Sequence, residues 1–155
     1  MKKISIISLI CILIDQIIKI IVSTNLKFTS SINVITNFFR ITYLKNYGAA
    51  WSILTGNKMF LILVSFVALF LIYYFFMKNK KFTNIEEILY GLLIGGVIGN
   101  LIDRIRLGYV IDYLDFNIFS YNYPVFNFAD TLIVVSVIFL VVLNIKDDKN
   151  GNNSR

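Results

Sequence analysis

Four apolar stretches, separated by polar segments, constrain this chain more than any other feature of its sequence. A helix needs about 20 mainly apolar residues to cross a hydrocarbon core about 30 Å thick. The stretches cover about residues 4–22, 59–77, 86–104 and 128–145, and each is long enough to cross once. We therefore predict an α-helical integral membrane protein with four transmembrane helices, organised as a single membrane domain over residues 1–155.

The composition agrees with lipid as the solvent around most of the chain. Of the 155 residues, 57% are hydrophobic and 15% are charged, whereas a soluble domain carries about 25% charged residues. The net charge of +6 comes from Lys and Arg between the apolar stretches. A nucleic-acid-binding surface instead clusters such residues on one face or along one helix. We expect contact with membrane lipid and not with nucleic acid.

The residue types that are missing exclude several classes of enzyme. Histidine is absent, and Cys11 is the one cysteine. Without histidine the chain cannot form a His-Glu-x-x-His zinc site, a Ser-His-Asp triad or a Cys-His dyad. We expect no metal site and no cofactor, so that hydrolytic chemistry would have to come from carboxylates, Lys, Ser or Tyr.

Positive charge marks one end of the predicted helix bundle. The residues concerned are Lys2, Lys3, Lys78, Lys80, Lys81, Lys146, Lys149 and Arg155. The positive-inside rule places both termini, with the polar tail 146–155, in the cytoplasm. The loops at about 23–58 and 105–127 then face outward. The first stretch also resembles a cleaved signal peptide, but Ile10 is too bulky for the last position before a cleavage site, so a retained helix is predicted.

The first outward loop has the composition of a small sheet. Residues 38–44 are rich in aromatic and β-branched side chains, which favour strands. We predict an extracytoplasmic β-sheet platform that ends near Asn46 and Gly48. The alternative is an unstructured loop.

Ionisable residues inside the predicted helices are costly and each requires a reason. Asp15 and Lys19 lie four residues apart, a spacing at which they neutralise each other on one helical face and orient the fold. Gly91, Gly95 and Gly99 recur once per turn in the third helix, and small residues at this spacing allow helix backbones to approach closely. Asn100, Asp103 and Arg104 follow on the same face. This polar cluster either points into the bundle, or Asp103 and Arg104 are simply interfacial charges.

Asp112 and Asp130 are the candidate catalytic residues. Asp112 lies in the second outward loop and Asp130 begins the fourth helix, so the topology brings both to the outer boundary of the hydrocarbon. Two adjacent carboxyls share a proton because they cannot both ionise cheaply. The ionised carboxyl can activate water, and the protonated one can assist the peptide carbonyl and the leaving nitrogen. Helix capping alone is the alternative role for Asp130.

Five sequence blocks, in order along nearly the whole chain, resemble the lipoprotein signal peptidase family, also called signal peptidase II. They are Asp15-Gln16-x-x-Lys19, Asn46-x-Gly48-Ala49-Ala50-Trp51, Gly96-x-x-Gly99-Asn100-x-x-Asp103-Arg104, Gly108-x-Val110-x-Asp112-Tyr113 and Phe126-Asn127-x-Ala129-Asp130. Trp51 and Tyr113 stand where Phe is common in the family. Neither departure touches the proposed chemistry.

The resemblance implies an aspartic endopeptidase with Asp112 and Asp130 as its catalytic pair. It implies supporting or substrate-binding roles for Asp15, Lys19, Asn46, Gly48, Asn100, Arg104, Asn127 and Ala129. It further implies a bacterial plasma-membrane enzyme, inhibited by globomycin, that cleaves prolipoproteins just before a diacylglyceryl-modified cysteine. We expect a monomer in which the aromatic segment 38–51 forms a clamp over the site.

Three other functions remain open on the sequence alone. A small transporter or channel subunit would use Asp15, Lys19 and Asp112 as an ion path. A membrane scaffold would need neither catalytic aspartate. A Ser-Lys protease is disfavoured because Lys19, the one lysine within a predicted helix, already has Asp15 as its candidate partner.

Overall fold

Four long helices form the membrane part of the protein, in a computed structural model that describes residues 1–48, 56–119 and 121–149. They are α1 (Lys2–Asn25), α2 (Lys58–Leu71, continued by a π-helical segment, Ile72–Met77), α3 (Asn84–Arg106) and α4 (Phe128–Lys149). Each is long and apolar enough to cross a membrane. The prediction of four transmembrane helices is confirmed. Each helix extends beyond its apolar stretch at one end or both, because helical hydrogen bonding continues into the polar ends that hydropathy does not detect.

Helix α3 is the centre of the bundle. Within the protein, 56% of its apolar span is buried, against 28% for α1, 17% for α4 and 11% for α2. Its first turn is fixed by a capping box, in which Thr83 Oγ1 accepts from the Glu86 amide and Glu86 Oε2 accepts from the Thr83 amide. This reciprocal pair satisfies two backbone donors that would otherwise lack partners at the helix start.

The glycines of α3 bring its neighbours close on two sides. A Cβ atom on Gly91, Gly95 or Gly99 would lie 2.7 Å from an atom of α1 in each case. A Cβ atom on Gly96 would lie 2.6 Å from the carbonyl oxygen of Ala129 in α4. The predicted packing role of this glycine stripe thus extends to a second helix, because Gly96 lies on the face that meets α4.

We expect Gly96→Ala to displace α4 and to lower the unfolding temperature in detergent. The new methyl group would meet backbone of α4, which cannot rotate away as a side chain can, and overpacking of this kind costs about 1–3 kcal/mol. The measurement is a thermal unfolding curve, with the lipid-facing Ile138→Ala, at a residue that is 55% exposed, as the control. An unchanged unfolding temperature in Gly96→Ala would show that α3 and α4 are not in tight contact here.

A four-stranded antiparallel sheet covers one end of the bundle. Its strands are β1 (Ser31–Ile35), β2 (Phe39–Asn46), β3 (Val110–Ile118) and β4 (Tyr121–Asn122), paired in the order β1-β2-β3-β4. The predicted sheet is confirmed, and the unstructured-loop alternative is wrong for this part of the chain. Strands were predicted only in the loop at about 23–58, whereas the loop at about 105–127 contributes β3 and β4.

The sheet is attached to the helices by a buried cluster beneath it. Val22 from the end of α1 packs with Tyr43 of β2 and with Ile111 and Tyr113 of β3. Since Ile111 and Tyr113 flank Asp112, this packing fixes the strand segment that carries the first candidate catalytic residue. Leu44 of β2 pairs with Asp112 in the strand register.

Candidate active site

Asp130 is positioned by the first turn of α4. Asn127 Oδ1 accepts a hydrogen bond from the Asp130 amide at 3.0 Å, and Asp130 Oδ2 accepts from the Asn127 amide at 3.2 Å. This is the reciprocal geometry of a capping box, with Asn at the cap position and Asp three residues later. Helix capping therefore accounts for part of the role of Asp130. It leaves Oδ1 free of the cap, and Asn100 Nδ2 donates to that oxygen at 2.7 Å.

Asp112 is buried on β3, with 1% of its surface exposed. Both of its carboxyl oxygens accept hydrogen bonds from amide side chains: Oδ1 from Asn127 Nδ2 at 2.7 Å and Oδ2 from Asn46 Nδ2 at 2.9 Å. Asn46 ends the adjacent strand β2, and its own Oδ1 accepts from the Gly48 amide at 2.9 Å. The turn at Asn46–Gly48 thus fixes the amide that holds Asp112.

Asn127 joins the two candidate catalytic residues. Its side chain donates to Asp112, and its backbone amide donates to Asp130. Both aspartates therefore bind the same residue, and both line one cavity of about 400 Å³. The two chain segments that carry them meet at the end of the bundle that the sheet covers.

The cavity is lined by a few polar groups and by a larger apolar wall. Asn46, Asn100 and Arg104 line it together with the two aspartates, and most of the remaining lining comes from the segment Tyr123–Phe126 and from apolar side chains of α4. A cavity with few convergent polar groups in an otherwise apolar lining is the usual form of a ligand site.

Burial, and after it the nearby negative charge of Asp130, raise the pKa of Asp112 to about 7. The hydrogen bonds from Asn46 and Asn127 act in the opposite direction, because they favour the ionised form. Two neighbouring carboxyls whose mutual repulsion keeps one of them protonated near neutral pH are suited to general acid–base chemistry.

A buried ion cluster lies directly behind the two aspartates. Lys19 Nζ is 2.9 Å from Asp15 Oδ2 and 3.0 Å from Asp103 Oδ2, and all three side chains are 0% exposed. Lys19 also donates to Asn100 Oδ1 at 2.9 Å, and Asn100 reaches Asp130. The pairing of Asp15 with Lys19 is therefore extended by a second carboxylate. The interfacial-charge alternative is wrong for Asp103, which is fully buried.

The remaining predicted residues lie at the edges of this network. Asp15 Oδ1 accepts from the Ala129 amide at 3.2 Å, which ties α1 to the start of α4. Arg104 donates to the Gly48 carbonyl at 3.4 Å. Its buried Nε has no hydrogen-bond partner within residues 1–48, 56–119 and 121–149. Of the proposed clamp, 38–51, residues 39–46 form β2, whereas Ala49, Ala50 and Trp51 lie outside the described residues. The clamp role stays a prediction.

Three residues in this network were given no catalytic or supporting role in the sequence analysis. Asp103 and Gln16 complete the ion cluster, where Gln16 Nε2 donates to Asp103 Oδ1 at 3.0 Å. Tyr113 accepts through its hydroxyl from the Phe128 amide at 3.1 Å and so helps to cap α4. Asp103 and Gln16 stand inside two of the recognised blocks, so their position there was an available signal. Among the described residues, His, Cys, Asp and Glu form no group that could hold a metal ion.

Comparison with known proteins agrees with these features. The family model for signal peptidase (SPase) II matches residues 7–146. The chain belongs to the signal peptidase II family. Curated relatives named lipoprotein signal peptidase, from Staphylococcus aureus strains JH9 and Newman, are each 38% identical over 144 residues, which is 93% of this chain and 88% of the relative.

Solved structures show the same fold as this signal peptidase II family member. One bacterial membrane enzyme superposes with a TM-score of 0.89 at 34% identity, covering 100% of this chain and 94% of the other. A second superposes with a TM-score of 0.84 at 35% identity, covering 95% of each chain. The likeness includes the sheet as well as the four helices, since it spans the whole chain or nearly so.

Proposed function

We propose that Asp112 and Asp130 are the catalytic pair of this signal peptidase II family member, which removes signal peptides from prolipoproteins. The observation that carries the assignment is that Asn127 binds both carboxyl groups on the wall of one cavity.

The transporter alternative is not supported by the ion cluster. Asp15 and Lys19 are fully buried and fully bonded, whereas an ion path requires exchangeable contacts.

In the proposed reaction the two aspartates share one proton. The high pKa of Asp112 makes it the protonated partner, and ionised Asp130 takes a proton from water as the water oxygen attacks the scissile carbonyl carbon. Asp112 hydrogen-bonds the carbonyl oxygen. When the tetrahedral intermediate collapses, the C–N bond breaks, and the nitrogen takes the proton that Asp130 received. The products are a free carboxyl on the signal peptide and a free amine on the mature protein.

The supporting residues act on the carboxyl groups in this scheme. Asn46, Asn100 and Asn127 supply the N–H donors that hold the four carboxyl oxygens in place. Preorganised donors of this kind favour reaction because they need no rearrangement as charge develops. Lys19 binds Asn100 and Asp15 binds the Ala129 amide, while Arg104 lines the cavity and donates to the Gly48 carbonyl.

The charge distribution supports the proposed orientation of the protein in the membrane, and the cavity lining supports the proposed substrate. The positive-inside rule places both termini in the cytoplasm, which puts the sheet and the two aspartates at the outer leaflet. A diacylglyceryl-modified cysteine is held at that depth by its acyl chains. The apolar wall from α4, which includes Ile133 and Val134, is suited to contact lipid or the apolar signal peptide. We propose that the protein works as a monomer and a single membrane domain.

A cleavage assay tests this function. The purified full-length protein in detergent is incubated with a prolipoprotein that carries diacylglyceryl on its cysteine, and the product is identified by gel shift and by mass spectrometry of the new N-terminus. We expect cleavage just before the modified cysteine, and inhibition by globomycin. The same precursor without the lipid is the control. Absence of cleavage, or equal cleavage elsewhere in the precursor, would refute the proposal.

The pKa of Asp112 predicts the pH dependence of cleavage. Because the pKa of this group is raised to about 7, Asp112 holds its proton below pH 7 and loses it as the pH rises. We expect kcat/KM, which reports the free enzyme, to fall about tenfold per pH unit well above pH 7. A profile of kcat/KM from pH 5 to 9 with protein checked for folding at each pH is the measurement. A constant kcat/KM up to pH 9 would contradict the assignment of the proton to Asp112.

A further inference from the structure

Asp103 is buried at the outer end of α3 and accepts hydrogen bonds from two other elements. Its Oδ2 accepts from Lys19 Nζ at 3.0 Å and from the Ile111 amide at 3.2 Å, and its Oδ1 accepts from Gln16 Nε2 at 3.0 Å. Lys19 and Gln16 belong to α1, and Ile111 belongs to β3. One carboxylate therefore joins two helices to the strand that carries Asp112.

The bond to Ile111 fixes the edge of β3 that faces away from β2. Strand β2 pairs with β3 on one edge. On the other edge the Phe126 carbonyl accepts from the amides of Tyr113 and Leu114 at 3.0 and 2.7 Å. Two residues earlier, where Phe126 does not reach, Asp103 supplies the acceptor that a neighbouring strand would supply. Since Ile111 immediately precedes Asp112, this bond sets the backbone position of the candidate catalytic residue.

The ion pair between Asp103 and Lys19 affects the position of Asp130 through Asn100. Asp103 and Asp15 hold the Lys19 ammonium so that it donates to Asn100 Oδ1 at 2.9 Å. This contact fixes the orientation of the Asn100 amide, because a flipped amide would place its NH₂ against the ammonium. In the observed orientation Asn100 Nδ2 faces Asp130 Oδ1 at 2.7 Å.

We propose that Asp103 is a positioning residue for peptide cleavage, whose buried carboxylate fixes the strand carrying Asp112 and directs Lys19 toward Asn100, the partner of Asp130. The proposal rests on the proposed function of the two aspartates. Asp103 does not line the cavity, so its removal affects the geometry of the catalytic groups and not the binding of substrate. A change confined to the reacting geometry lowers kcat and leaves KM nearly unchanged.

The test compares Asp103→Asn with Asp115→Asn. Asp115 is a matched control because it lies three residues beyond Asp112 on β3, is buried, and binds Arg40 and Thr42, away from the cavity. Full-length variants are assayed for cleavage of diacylated prolipoprotein, and their unfolding temperatures are measured. We expect Asp103→Asn to lower kcat on the order of 10- to 100-fold with KM within about twofold. Asp115→Asn should leave both within about twofold.

If Asp103→Asn does not fold, Asp103→Glu tests the positioning role instead. It keeps the negative charge beside Lys19 but moves the carboxylate away from its position at Ile111, so kcat should fall at least about fivefold. Wild-type kcat in a folded variant, a rise in KM alone, or an equal loss of kcat in Asp115→Asn would overturn the proposal. Failure of both Asp103 variants to fold would also overturn it, since it would show a purely structural role.

Failure of the positioning role of Asp103 can be distinguished from failure of the proposed catalytic pair. Asp112→Asn and Asp130→Asn are assayed in the same experiment. Turnover retained in those variants defeats the catalytic assignment. Turnover lost in them but unchanged in Asp103→Asn defeats only the positioning role.

Discussion

Asp112→Asn and Asp130→Asn are each expected to abolish cleavage of diacylated prolipoprotein. An asparagine amide has nearly the shape of a carboxyl group, but it can neither take a proton from water nor return one to the leaving nitrogen. General acid–base groups contribute on the order of 10²–10⁴-fold to the rate, and this pair supplies both functions. The measurement is single-turnover cleavage followed by gel shift, with enzyme in excess so that slow residual activity is visible.

The variants should remain folded, and the structure indicates why. Each aspartate accepts donors on both oxygens, so an asparagine leaves one donor without an acceptor, at a cost of about 1–3 kcal/mol. Removing one of two neighbouring buried carboxyls also relieves their repulsion, which offsets part of that cost. Asp115→Asn on the same strand is the control for the substitution itself. Turnover near the wild-type rate in either catalytic variant would defeat the assignment of the pair.

The helices could be predicted from the sequence because hydrocarbon imposes one solution on an apolar stretch of this length. Strand β2 was also predictable, since Phe39–Leu44 has strong strand composition. Strand β3 was missed. Its residues Val110–Phe116 have similar composition, so a local signal for a strand was present. What the local sequence does not give is the pairing partner, β2, about 70 positions earlier.

The aspartates were predictable as a pair, but the network that holds them was not. The topology alone brought Asp112 and Asp130 to the same depth. The capping box of Asn127 and Asp130 was visible in the spacing of the two residues. By contrast, one of the partners of Asp103 is a backbone amide on another element, and one of the partners of Asn100 Oδ1 is a lysine 81 residues away. Spacing along one chain does not encode contacts of this kind.

Lys19→Met is expected to have the largest effect on stability. The substitution leaves Asp15 and Asp103, both 0% exposed, without the cation that lies 2.9 and 3.0 Å from them. Breaking a buried ion pair by removing one partner costs about 3–5 kcal/mol, because an uncompensated charge remains in the interior. The expected result is a strongly lowered unfolding temperature in detergent, or loss of the monodisperse peak on size exclusion. Lys27→Met, the same change at an exposed lysine, should leave both measurements unchanged.

A double variant tests whether uncompensated negative charge causes the loss of stability in Lys19→Met. Adding Asp103→Asn to Lys19→Met removes one of the two stranded carboxylates, so part of the lost stability should return. Full stability in Lys19→Met alone would show that burial of Asp15 and Asp103 does not depend on the lysine cation. Recovery of stability in the double variant, together with a larger loss of cleavage than Asp103→Asn causes alone, would instead show that the ion cluster has two separate effects. One is the neutralisation of buried charge, and the other is the orientation of Asn100 toward Asp130, for which the lysine itself is required.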